Sequence, residues 1–162
     1  DLRRSRGLGD VYKRQLVAPV PRVLPNKVVI LDAMNAAIAT SLERLVETLG
    51  DPQPEIYQRL YAQYPDTKVL FVLDTDGGVR GSMLQTTLET ILDYAAKDRL
   101  DDVSLSAWRS HHQGYDVEPD TFSNFFVIIR DCAKDTLGES WSAEMEHAWQ
   151  GLIRAVRDNA EA

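Results

Sequence analysis

The stretch HQGYDVEPDTF, residues 112–122, decides how the chain is read. It holds the end of one helix and the start of the next. Gly114 stops a helical pattern that runs through SLSAWRSHHQGY, residues 104–115. Pro119 suits the first turn of a helix, where its missing N–H leaves nothing unpaired. From there Phe122, Phe125, Phe126 and Ile129 continue at helical spacing. His112 therefore sits in the last turn of one helix, a short loop ahead of an aromatic stripe.

Upstream and downstream the pattern is helical throughout. Leu42, Leu45, Val46 and Leu49 share one face, and Gly50 ends it. Pro52 and Pro54 open IYQRLYAQY, whose Tyr57, Leu60, Tyr61 and Tyr64 form a stripe that Pro65 ends. KVLFVL, residues 68–73, reads as a strand on local pattern alone, but helices flank it and it has no partner. The loop Asp74-Thr-Asp-Gly-Gly78 precedes a long helix with Val79, Met83, Leu84, Leu88, Ile91 and Leu92 on one apolar face. A last helix, beginning near Ser142, carries Met145, Ala148, Trp149, Leu152 and Val156. The expected fold class is all-α.

The first fifteen residues, DLRRSRGLGDVYKRQ, are basic and broken by glycine. They fit neither a secretory signal nor a transit peptide. Ser5–Gln15 resembles the translation of a transposase sequencing adapter, so 1–15 is set aside and 16–34 is read as an N-terminal extension. The native domain is taken as 35–162. Without the five basic and two acidic residues of 1–15, 13 basic residues face 23 acidic ones, a formal charge of −10 instead of −7. So acidic a surface repels phosphate backbones and anionic lipid, which argues against nucleic-acid and membrane partners. No run approaches the ~20 apolar residues of a membrane helix. One cysteine, Cys132, cannot form an internal disulfide, which fits a reducing, cytoplasmic setting.

Three histidines carry the available ligand chemistry. His147 lies off the apolar stripe of its helix and reads as solvated. His111 and His112 are about 100° apart on a helix, so only one can face a given pocket. No second histidine or cysteine stands at zinc-ligand spacing. Periodicity alone leaves both as ordinary structural or surface residues.

The order of landmarks adds to this. YQRLYAQYPDTKVLF, RGSMLQTTLETILDYA, HQGYDVEPDTF and LGESWSAEMEHAW together resemble the globin family, particularly the bacterial single-domain and flavohaemoglobin-like globins. The resemblance implies a globin fold of six to eight helices around a haem pocket. It implies haem b as cofactor, with His112 as the proximal ligand, since HQGYDVEP matches the family's histidine motif. Phe71, six residues after Pro65, matches the phenylalanine that packs flat on the porphyrin. Tyr57 matches a distal tyrosine whose hydroxyl donates to a bound gas. Leu84 matches the apolar residue over the ligand side. Arg80 falls at the distal polar position, where contact with the gas, contact with a propionate and a surface role all stay open.

Two departures from the flavohaemoglobin pattern stand out. Phe122 occupies the place of a tyrosine that, with a glutamate, strengthens the proximal histidine. The second ring nitrogen of His112 is then left to a backbone carbonyl or water. No flavin or nicotinamide domain follows, so reductive turnover is expected to need a separate reductase. The resemblance thus implies reversible binding of dioxygen, nitric oxide or carbon monoxide at a five-coordinate iron. Nitric oxide dioxygenation with a separate reductase is the enzymatic alternative, and a haem-free, globin-like signalling module is the third.

Overall fold

The computed structural model describes residues 26–161, with side chains described from residue 36. The adapter-like segment and residues 16–25 lie outside the described residues. Six α-helices and two 3-10 turns follow one another: α1 (Asn26–Leu49), α2 (Gln53–Gln63), a 3-10 turn (Pro65–Phe71), α3 (Gly78–Lys97), α4 (Asp102–Gln113), α5 (Pro119–Leu137), a second 3-10 turn (Gly138–Ser140) and α6 (Ala143–Glu161). No strand occurs among the described residues. The fold is the all-α arrangement expected.

Local chemistry sets most helix boundaries. Gly50 takes φ +74°, and its N–H donates to the Val46 carbonyl at 2.8 Å to close α1. Asp101 caps α4 by accepting from the Ser104 N–H at 3.2 Å. Pro119 occupies the first turn of α5. Two segments differ from the sequence pattern. α1 begins at Asn26, ahead of the boundary read at Asn35, because the apolar run KVVIL carries no helical period of its own. The first four residues of KVLFVL, up to Phe71, continue the 3-10 turn that begins at Pro65, and Val69, Val72 and Leu73 are exposed. No neighbouring strand supplies a ladder for it, so the local β preference yields.

α1 is the hub, packing against α3, α5 and α6. Leu42 and Leu45 of α1, Leu84, Leu88 and Ile91 of α3, Ile129 of α5 and Leu152 and Val156 of α6 are buried in one cluster. One polar relay crosses it. Trp149 Nε1 donates to Ser41 Oγ at 2.9 Å, and Ser41 Oγ donates to the Ile38 carbonyl at 2.7 Å. Both side chains are fully buried. Cys132 is also fully buried, and desolvation pushes its thiol up to about 11, which keeps it protonated and unreactive.

Ser41→Ala leaves the Trp149 N–H buried without its acceptor. The variant is expected to lose about 1–3 kcal/mol of stability. Urea unfolding followed by tryptophan fluorescence measures this, and an unchanged midpoint would contradict it.

Candidate functional site

α3 and α4 are consecutive in the chain, yet they are not a closely packed pair. Both line one cavity of about 580 Å³. That volume lies in the range of small-molecule and cofactor sites, roughly 300–1,000 Å³. The wall from α2 and the first 3-10 turn carries Tyr57, Leu60, Leu70 and Phe71. α3 contributes Val79, Met83, Thr86 and Thr90, and α4 contributes Trp108 and His112. Phe122, Phe125 and Phe126 of α5 complete it. Among the described residues that line it, His112 is the only one with an ionisable nitrogen.

The position of His112 follows from its helix. Its Nδ1 lies 2.7 Å from the Trp108 carbonyl, one turn back on α4. A carbonyl oxygen only accepts, so Nδ1 carries the proton in that bond, and the lone pair of the neutral imidazole rests on Nε2. The ring is half-buried and meets Phe122 edge to face, with centroids 5.1 Å apart. The phenyl at this position offers the imidazole no hydrogen bond.

Tyr57 is buried on the α2 wall. Its hydroxyl donates to the Arg80 carbonyl at 2.9 Å, and its ring packs edge-on against Phe71 with centroids 5.5 Å apart. The structure therefore brings Tyr57, Phe71 and His112 together around one cavity.

Arg80 and Leu84 do not line it. Leu84 is fully buried in the core cluster, and the cavity-facing positions on α3 are one residue earlier, Val79 and Met83. Arg80 turns toward a neighbouring surface groove and is held there by Asp74. Asp74 accepts from the Val79 and Arg80 backbone N–H groups at 2.9 and 3.0 Å and from Arg80 Nε at 2.9 Å. Arg80 Nη2 returns a bond to the Asp74 carbonyl at 2.9 Å. Desolvation alone would raise the Asp74 pKa, but the two backbone donors and the guanidinium outweigh it and hold the carboxyl below its ordinary value. One carboxylate thus caps the start of α3 and fixes Arg80 away from the cavity.

The missed residues had a signal. Val79, Met83, Thr86 and Thr90 recur at helical spacing, next to the core stripe Leu84, Leu88, Ile91 and Ala95. Thr86 and Thr90 donate their hydroxyls to helix carbonyls four residues back, which satisfies the polar atom within the helix.

An all-α chain whose two consecutive helices stand apart over an apolar, single-histidine cavity is a helical protein built to hold a flat cofactor or small ligand. The chain belongs to the globin family: the family profile described as Globin matches residues 54–160. No curated protein and no solved structure matches it significantly. The residues at the cavity suit the cofactor that globins bind. Aromatic and aliphatic walls suit an apolar macrocycle, and an imidazole with a free Nε2 lone pair suits its iron. Among the described residues no helix is long and apolar enough to cross a membrane, and no group of three or more histidine, cysteine or carboxylate side chains could hold a bare metal ion.

The lowered pKa of Asp74 fixes the sign of an acid effect. Its contribution to stability is complete above the ordinary value of 3.8 and is lost as the pH falls through the lower folded value. Asp74→Asn is expected to flatten the stability-against-pH curve below pH 3.8 relative to wild type. Curves of identical slope there would contradict the role given to this carboxylate.

Proposed function

We propose that this chain binds haem b through His112 and reversibly binds a diatomic gas, with dioxygen the leading candidate and nitric oxide or carbon monoxide as related ligands. The observation that carries the reading is the His112 Nδ1 bond to the Trp108 carbonyl on the cavity wall, which presents Nε2 as the lone-pair donor. Haem, when bound, supplies an iron with an open coordination position. Phe71 and Phe125 give the cavity apolar ring faces, and Val79 and Met83 give it an apolar α3 side. Covering such walls with a flat apolar ring recovers about 25 cal/mol per Å² of surface removed from water, which favours a filled pocket over a haem-free signalling module.

Tyr57 supplies the donor for a bound gas. Its hydroxyl already bonds the Arg80 carbonyl, so donation to a gas exchanges one hydrogen bond for another and the net gain is small. The proximal side favours carriage over nitric oxide dioxygenation, because Nδ1 of His112 faces a neutral carbonyl and not a carboxylate that would strengthen electron donation. Dioxygenation would also call on a reductase to return the iron to the ferrous state. The unreactive buried thiol of Cys132 is compatible with a cytoplasmic setting.

Purified protein supplied with haemin is expected to give a Soret band that His112→Ala abolishes or strongly weakens. No band in wild type, or one indifferent to the substitution, would sink the reading. Tyr57→Phe is expected to speed dioxygen dissociation by about fivefold to tenfold, the equivalent of one net hydrogen bond. Flash photolysis measures that rate, and a change of several hundredfold would contradict the small net gain.

A further inference from the structure

Behind the His112 wall lies a buried cation. Arg109 precedes His112 by one turn of α4 and shares its face. Only 6% of it is exposed. Its Nη1 donates to Asn159 Oδ1 at 2.6 Å and its Nη2 to the Val156 carbonyl at 3.0 Å. Its buried Nε has no hydrogen-bond partner among the described residues. The acceptors it does have are neutral, and among the described residues no carboxylate forms an ion pair with it. The nearest carboxylate along this set of bonds is Asp102, one step removed, which accepts from Asn159 Nδ2 at 3.1 Å. Burial lowers the guanidinium pKa, but arginine starts so high that it stays charged.

This charge is aimed at the imidazole's surroundings. The guanidinium carbon lies 5.2 Å from the centroid of the Phe122 ring, and the same ring meets His112 edge to face at 5.1 Å. A bolt joining α4 to α6 needs hydrogen-bond donors but no charge, and burying a charge without a counter-ion is costly. That expense is unexplained by packing alone.

We propose that Arg109 is a positioning residue acting on the redox balance at His112: its positive charge disfavours the ferric over the ferrous state of a haem held there. The inference rests on the haem-binding reading above. A ferric centre carries one more positive charge than a ferrous one, so a fixed cation behind the wall that holds His112 raises its energy. The surrounding aromatic wall screens the interaction weakly. The neutral carbonyl on Nδ1 works in the same direction, since it leaves the imidazole a weaker donor than a carboxylate partner would. Together they hold the gas-competent reduced form without an electron-donating proximal network.

The test is the midpoint potential of the haemin-loaded protein, by spectroelectrochemistry, with the iron–histidine stretch of the ferrous form by resonance Raman. Arg109→Met is expected to raise the ferric-to-ferrous ratio at a fixed potential about tenfold, equivalent to ~59 mV for a one-electron couple. Arg109→Lys, which keeps the charge, is expected to stay near wild type. Should Arg109→Met not fold, Asn159→Asp sets a carboxylate against Nη1 without removing the arginine, and the same downward shift in potential is expected. A purely structural role would lower the melting temperature and leave the midpoint in place. Midpoints of Arg109→Met or Asn159→Asp within twofold of the wild-type ratio would overturn the proposal. A wild type with no Soret band is a different result, which removes the haem reading and this one with it.

Discussion

The site depends on how α3 divides its apolar residues between two faces. Leu84, Leu88, Ile91 and Ala95 are buried in the core, where α3 packs on α1. Val79, Met83, Thr86 and Thr90 look the other way, into the cavity. Neighbouring positions on a helix are about 100° apart, so both faces fit on one element only if α4 stands off from it. α1 makes that possible by anchoring α3, α5 and α6 at once. The cavity is therefore not a packing defect but the space left by a core that is complete without α4 closing on α3.

Within that space a single hydrogen bond sets the chemistry. The Trp108 carbonyl takes the proton-bearing nitrogen of His112 and so fixes which nitrogen carries the lone pair. Phe122 then stands where a hydrogen-bonding side chain could have reached the imidazole, and it is flanked by a guanidinium. The surroundings of the imidazole are consequently neutral to positive. On the other side Tyr57 is tied to the Arg80 carbonyl, and Asp74 keeps the Arg80 head group out of the pocket. Under the gas-binding function proposed above, these polar groups would favour exchange of a ligand over its activation.

The order of helices was legible in the sequence because glycines and prolines mark most boundaries: Gly50, Pro65, Pro119 and Gly138 each stand at the end or start of an element. His112, Tyr57 and Phe71 were singled out through the globin resemblance of the segments that hold them, not by periodicity, and all three line the cavity. The same resemblance put Leu84 over the ligand side and left Arg80 open between gas, propionate and surface, whereas the cavity-lining positions on α3 are Val79 and Met83, one residue earlier than each. A broad stripe that includes both Met83 and Leu84 does not say which of two adjacent residues faces a cavity and which faces α1. Threonines hid the second face, since their polarity in the sequence disappears once their hydroxyls bond within the helix. Arg109 was invisible for a different reason. Its meaning lies in three contacts from α5 and α6, none of them near it in sequence.

The central claim is that His112 is the one protein ligand to a haem iron whose other side is open. The absorption spectrum of the reduced protein, before and after carbon monoxide, tests it most directly. The account predicts a five-coordinate, high-spin ferrous spectrum that converts to a sharp carbon monoxide complex. A low-spin, six-coordinate spectrum that resists carbon monoxide would contradict it, and would point to Met83, whose side chain also lines the cavity, as a second ligand.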